Sequence, residues 1–235
     1  MIICANLKTN LTRASTDKYL DELDKFLDNT SSSQEVIVFP AMTSLNLHDG
    51  KVIIGAQNAY ATKNGAFTGE IGLEQLEEFD IQTILIGHSE RRHILGESQE
   101  DLVKKFNFYK ELDFKIVYCV GEPFEIREAG SDTMMEYISA QYEGIDVAYE
   151  NLIIAYEPVW AIGTGLTPTL KNIEDIHTKL KQKSSAPLLY GGSVKVTNAK
   201  DVLALNNVDG ILVGSAALKV KDFCSMCDEA QKKEK

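Results

Sequence analysis

Eight short runs rich in β-branched residues recur along the chain, most of them separated by polar stretches with helical period. That alternation limits the possible folds more than any other feature. The runs cover residues 2–6, 35–39, 52–57, 81–86, 114–120, 152–156, 187–190 and 208–213. Most are apolar nearly throughout, as expected of parallel strands covered on both faces. Between them, Leu20, Leu23 and Leu27 share one helical face within 16–28, with Tyr19 and Phe26 beside them. Ser98 with Asp101 three residues on reads as a capping-box variant, followed by an inner stripe of Leu102, Val103, Phe106 and Tyr109. Thr167-Pro168 reads as a helix cap followed by a first-turn proline, with Ile173, Ile176 and Leu180 inward. Eight such units in 235 residues predict one closed (β/α)8 TIM-type barrel domain over 1–235. An open doubly wound sheet is the structural alternative. Only about a dozen residues separate Phe39-Pro40 from Val52, with Asp49-Gly50 as a turn, so the helix between strands two and three is reduced or missing.

Charge narrows the partners. Lys and Arg total 24 against 35 Asp and Glu, a net charge of −11, which repels nucleic acid and anionic membrane surfaces. No apolar stretch approaches the roughly 18 residues of a membrane helix, and the N-terminus has no basic segment of a signal peptide. Cys4, Cys119, Cys224 and Cys227 are too sparse for a disulfide framework, so the expected setting is a reducing cytoplasm.

Ligands of parallel α/β folds bind at the carboxyl ends of the strands. Asn6 and Lys8 follow the first strand, Gly87-His88-Ser89-Glu90-Arg91-Arg92 the fourth, and Glu157-Pro158-Val159-Trp160 the sixth. Gly191-Gly192-Ser193 follows the seventh and Gly214-Ser215 the eighth. These last two turns, with Gly163 nearby, favour an anion site, because small residues let backbone N–H groups approach an oxyanion. Lys8 is the one obvious cation to balance it. Read alone, Lys8 is equally a rim lysine, Glu157 a rim carboxylate and His88 a helix cap. At a helix start, the dipole favours a neutral imidazole. Gly163-Thr164-Gly165 lacks the third glycine of a dinucleotide loop. His88 and His93 are five apart and cannot share a helix face, and no metal site is expected. Cys224-Ser225-Met226-Cys227 is a C-x-x-C within the last helical segment and reads as helix thiols, while His48, His177 and Cys119 read as structural.

The segments Asn6-Leu7-Lys8, Gly65-Ala66-Phe67-Thr68-Gly69-Glu70, Ile86-Gly87-His88-Ser89-Glu90-Arg91-Arg92, Ala155-Tyr156-Glu157-Pro158-Val159-Trp160-Ala161-Ile162-Gly163-Thr164-Gly165 and Tyr190-Gly191-Gly192-Ser193-Val194 resemble the triosephosphate isomerase family, in matching order over nearly the whole chain. The resemblance implies a homodimeric barrel that interconverts dihydroxyacetone phosphate and D-glyceraldehyde 3-phosphate in glycolysis and gluconeogenesis, with no cofactor. It implies Glu157 as the base and His88 as the electrophile, with Asn6 and Lys8 on the substrate. Gly163, Ser193, Gly214 and Ser215 would hold the phosphate, Glu90 would support Lys8, and Thr68, on the loop at Phe67, would reach across the dimer. The lid would be 158–167. Three departures from the family pattern accompany the missing helix: Leu7 where an aromatic is common, Leu166 for the usual lysine at the distal hinge, and Ser215 for a second glycine. Another phosphosugar enzyme on the same barrel, or a non-catalytic phosphate-binding barrel, are the competing functions. The latter has no use for Glu157 and His88 together.

Overall fold

The computed structural model describes residues 1–30, 33–162 and 166–233. Eight parallel strands form one sheet in the order β3-β2-β1-β8-β7-β6-β5-β4. They are β1 (Ile2–Asn6), β2 (Glu35–Phe39), β3 (Ile53–Ile54), β4 (Thr83–Ile86), β5 (Lys115–Val120), β6 (Leu152–Tyr156), β7 (Leu188–Tyr190) and β8 (Gly210–Val213). A parallel bridge between Ala56 and Ile84 joins the two ends of that order and closes the barrel. The doubly wound alternative is thereby removed.

Outside the strands lie α1 (Arg13–Asp28), α2 (Leu73–Glu77), α3 (Ser89–His93), α4 (Gln99–Lys110), α5 (Phe124–Glu128), α6 (Ser131–Ala140), α7 (Leu170–Lys181), α8 (Val196–Leu203) and α9 (Val220–Lys233). The core has two layers. Inside the barrel, Cys4, Ile37, Phe39, Leu85, Val117, Cys119, Ile153, Ala155, Leu189 and Leu212 meet at its axis. Alternate residues such as Ile3, Val38, Ile84 and Ile116 pack outward with Leu23, Phe106, Ile176 and Phe223 of the helices. That in-out alternation of apolar side chains is why the strands read as continuous apolar runs.

Between β2 and β3 the described residues form only the 3-10 turn Met42–Ser44. Asp24 of α1 secures this short crossover, its Oδ1 accepting the Lys51 and Val52 N–H groups at 2.8 and 3.1 Å. Its Oδ2 lies 2.8 Å from His48 Nε2, which gives that histidine a structural role. Strand three is shorter than the predicted 52–57, because only Ile53 and Ile54 find ladder partners on β2. Ser98 caps α4 as read, accepting the Asp101 N–H at 3.1 Å. The cap of α7 is Thr169 rather than Thr167: its Oγ1 accepts the Asn172 N–H at 3.2 Å, which leaves Pro168 outside the helix. Among the described residues no helix is long and apolar enough to cross a membrane.

Candidate active site

The carboxyl ends of the strands open on a cleft of about 590 Å³ that collects Asn6, Lys8, His88, Glu157, Ser193, Gly214 and Ser215. Residues from distant parts of the sequence share one space because each follows a strand of the same barrel. Lys195 and Lys219 line this cleft too, so Lys8 is not its sole cation. Both sit a few residues beyond a strand end, farther than the strand-end pattern reaches. Gly163 lies outside the described residues.

Glu157 follows β6, is 2% exposed, and is held from β4's side of the barrel. Its Oε2 accepts the Ser89 N–H at 2.8 Å and its Oε1 lies 3.0 Å from His88 Nε2. Burial alone would push this carboxyl's pKa up. The His88 ring, the Ser89 N–H and the Lys8 ammonium outweigh burial and hold it below the ordinary carboxylate range.

Gly87 makes the turn that presents His88. Its φ of +76° favours glycine, and a Cβ there would meet Arg92 Nη2 at 2.8 Å. His88 caps α3, its Nδ1 accepting the Glu90 N–H at 3.2 Å. A ring that accepts at Nδ1 carries its proton on Nε2, the nitrogen facing Glu157. Burial favours the neutral ring, as the helix start does, but the Glu157 carboxylate overrides it and raises the pKa. The helix-start argument therefore misses the dominant neighbour.

Lys8 stands in the left-handed region at φ +53°, a costly conformation for a side-chain-bearing residue. Its N–H donates to Asn6 Oδ1 at 3.0 Å, and its carbonyl accepts from Gln57 Nε2 at 2.9 Å. Gln57 Nε2 also donates to Phe39 O at 2.9 Å, which ties the ends of β1 and β2 together. The Lys8 ammonium bonds Glu90 Oε1 directly, the pairing that the resemblance implies. Leu7 is fully buried in the outer core layer.

Two polar residues beside the site escape the sequence reading. Gln57 has no distinguishing motif. Glu122 does: Glu122-Pro123 after β5 repeats Glu157-Pro158 after β6. Glu122 is fully buried, and its Oε1 accepts from Tyr156 Oη and Trp160 Nε1, both at 3.0 Å.

A second cleft of about 900 Å³ adjoins the first and shares Asn6, Lys8 and His88 with it, while also reaching Glu90, Arg13 and Gln57. Phe67 stacks on Tyr60 at 4.4 Å between ring centroids, and Thr68 is exposed, so neither enters its own chain's cleft beside Glu157. Ile94 and Leu95, just beyond α3, are 76% and 65% exposed. Cys227 is buried and Cys224 half-buried in α9, both free thiols, with burial pushing Cys224 up to about 11. His177 Nδ1–H donates to Asn207 O at 2.8 Å, and burial pulls its pKa down to about 4, in keeping with a structural role. No group of three or more candidate metal ligands occurs among the described residues.

Comparison with known proteins gives a consistent result. The family model described as triosephosphate isomerase matches residues 1–230. The chain is similar to the triosephosphate isomerase of Sulfurimonas denitrificans, 69% identical over 231 residues, covering 98% of this chain and 96% of the relative. It is similar also to those of Sulfurovum sp. (56% over 226 residues, 96% and 99% covered) and Wolinella succinogenes (54% over 228 residues, 96% and 98% covered). With the family model matched over nearly the full length of the barrel, the chain belongs to the triosephosphate isomerase family.

Proposed function

We propose that Glu157 is the base and His88 the electrophile of this chain's reaction. The activity itself is the family's: the chain interconverts dihydroxyacetone phosphate and D-glyceraldehyde 3-phosphate. The observation that carries the residue assignment is the direct pairing of Glu157 with His88 Nε2 in a cleft that also holds Lys8 and the glycine- and serine-rich ends of β7 and β8.

A proton beside a carbonyl is a weak acid, so its removal requires stabilisation of the oxyanion as it forms. Glu157 takes the proton from C1 of dihydroxyacetone phosphate. The C–H electron pair becomes the C1–C2 double bond, and the carbonyl pair moves to the C2 oxygen. There the His88 Nε2–H donates and Lys8 adds fixed positive charge, worth more in a desolvated site than in water. Glu157 then returns its proton to C2, the C1–C2 double-bond pair forming that C–H bond, while the O1 hydroxyl gives up its proton to become the C1 carbonyl and the C2 oxygen takes up a proton by way of His88. In the structure Glu157 rests on Ser89 N–H and His88. Substrate must therefore draw the carboxylate off both, and this frees Nε2–H for the substrate oxygen. Protonation of Glu157 also removes the charge that raises the His88 pKa, so the ring is most readily neutral when the oxyanion needs it. A glutamate base beside a neutral imidazole is the established acid–base pattern of triosephosphate isomerase, carried here onto the residues of this chain.

The phosphate is assigned to Gly163, Ser193, Gly214 and Ser215, with Asn6 and Lys8 on the triose. Glu90 orients Lys8. Residues 158–167 form the lid, and the whole chain is one barrel domain. A homodimer completes the reading: the exposed Ile94 and Leu95 and the 900 Å³ cleft suit the Phe67 and Thr68 loop of a second copy. A cytoplasmic setting fits four free thiols.

The test is incubation with dihydroxyacetone phosphate in D₂O with EDTA, followed by NMR. Deuterium at C2 of the aldehyde product is expected. In Glu157→Asp, retraction of the carboxylate by about one methylene should lower kcat by about 10²-fold with KM little changed. Turnover at the unmodified rate would remove Glu157 from the role of base.

A further inference from the structure

β4 and β5 part company just below the catalytic pair. β4 is last paired at Ile86, opposite Tyr118, and leaves the sheet at Gly87, whereas β5 continues to Val120 beside β6. Odd-numbered residues of β5 turn their peptide groups to β4, as in Lys115 N–H to Gln82 O at 2.9 Å. Even-numbered residues face β6, as in Ile116 N–H to Asn151 O at 2.9 Å and Glu157 N–H to Val120 O at 2.8 Å. Cys119 and Gly121 therefore face the space that β4 has vacated. Buried peptide groups need partners there.

Two side chains supply them. Arg92 Nη2 donates to Cys119 O at 3.1 Å. Gln141, at the end of α6 and 7% exposed, pairs its whole carboxamide with one residue's backbone. The Gly121 N–H donates to Gln141 Oε1 at 2.9 Å, and Gln141 Nε2 donates to Gly121 O at 2.8 Å. Gly121 in turn touches the backbone of Glu157: a Cβ at 121 would lie 1.7 Å from the Glu157 carbonyl oxygen. The next carbonyl, of Glu122, accepts the Val159 N–H at 3.1 Å, at the start of the lid.

Gln141 is itself fixed, its carbonyl accepting from Tyr118 Oη at 2.6 Å and Gln99 Nε2 at 2.9 Å. Arg92 Nη2 donates to that same Tyr118 hydroxyl at 2.9 Å, and Arg92 Nε donates to Gly87 O, one residue before His88, at 2.9 Å. One side-chain network thus grips the backbone beside both members of the pair.

We propose that Gln141 is a positioning residue for the isomerisation: its carboxamide, standing in for the missing strand, sets the Gly121 backbone against which Glu157 and the first lid residues rest. The proposal depends on Glu157 being the base. Gln141→Glu tests it with almost no change of shape. An ionised carboxylate has no donor for Gly121 O, while a protonated one offers one donor and one acceptor and restores both bonds. Relative to the unmodified chain at each pH, kcat should be about tenfold lower near pH 8 and recover severalfold toward about pH 5.5, with KM nearly constant. Gln141→Leu, apolar and of similar size, should lower kcat with no recovery. All rates are taken well below the melting temperature, with folding checked by circular dichroism.

If both variants keep the unmodified kcat and KM across the pH range and lose only melting temperature, Gln141 is merely structural and the proposal is overturned. Should the Leu variant fail to fold, the pH profile of the Glu variant decides alone. Glu157→Gln is assayed in parallel. Undiminished turnover there overturns the base assignment and this proposal with it, whereas collapse of turnover beside a silent Gln141→Glu overturns only the role of Gln141.

Discussion

Two neighbouring strands end in the same dipeptide, and the two carboxylates behave in opposite ways. β5 runs into Glu122-Pro123 and β6 into Glu157-Pro158, and both glutamates are buried. Glu157 looks across the barrel mouth to the end of β4, where it meets His88 and the Ser89 N–H, and its pKa is held down. Among the described residues, Glu122 meets the neutral donors Tyr156 Oη and Trp160 Nε1, both at 3.0 Å, with Arg127 Nη1 farther off at 3.7 Å. Burial prevails there and pushes the pKa up. Its Oε2 is buried with no hydrogen-bond partner among the described residues. Local sequence and burial are therefore not enough to make a base. A cationic and N–H environment delivered by another strand end is what holds Glu157 ionised.

The largest effect that would break this contrast is on turnover. Glu157→Gln should lower kcat by on the order of 10³-fold, since it deletes the proposed proton acceptor. Glu122→Gln keeps an acceptor for Tyr156 and Trp160 and should change kcat by less than about fivefold. Comparable losses in both, measured in steady state on folded protein, would end the distinction between base and structural carboxylate.

Stability against pH should separate them next. A carboxyl whose pKa rises on folding binds protons more tightly in the folded state, so it costs stability as pH rises through the window above the unfolded value near 4.5. Glu122→Gln should therefore raise Tm at neutral pH by a few degrees, the size that about 1 kcal/mol produces in a chain this long, and the gain should vanish below about pH 4.5. Glu157 has the opposite sign. Its charge contributes stability above 4.5, lost as pH falls through the depressed folded value. Glu157→Gln should lower Tm at neutral pH and match the unmodified chain in acid. Parallel Tm profiles for the two variants would contradict the opposed pKa directions.

The same contrast marks what the chain's sequence can disclose. β1, β2 and β6 are legible to the residue, because each is a continuous apolar run bounded by polar residues. β3 is shorter than its apolar run suggests, since its length is set by how many residues Ile37 and Val38 of β2 can pair, a tertiary fact. The cap of α7 falls at Thr169 instead of Thr167 because two threonines compete and only geometry selects the one that reaches the Asn172 N–H. In the site, Lys8, His88 and Glu157 are legible by position at strand ends. Glu122 carries the same signal as Glu157 and nothing local to tell its role. Gln141 carries none, because the strand it replaces is missing only in three dimensions.

The smallest effect concerns Arg127, and it sharpens the contrast from the Glu122 side. The guanidinium lies 5.6 Å from the centre of the Trp160 ring and pulls the Glu122 pKa down against burial. Arg127→Met removes a cation–π contact worth about 0.5–1 kcal/mol at most, so Tm should fall only slightly. The informative readout is Trp160, the only tryptophan of the sequence, whose Nε1 donates to Glu122 Oε1. Protonating Glu122 weakens that acceptor, so the emission maximum of Trp160 should titrate with Glu122, at a midpoint above 4.5. Without Arg127 the midpoint should move higher still, since nothing of comparable charge then opposes burial. A midpoint that moved down, or emission that ignored pH in both proteins, would mean that Glu122 is not governed by desolvation. The difference between the two Glu-Pro strand ends would then have to be sought in the segments that follow Pro123 and Pro158.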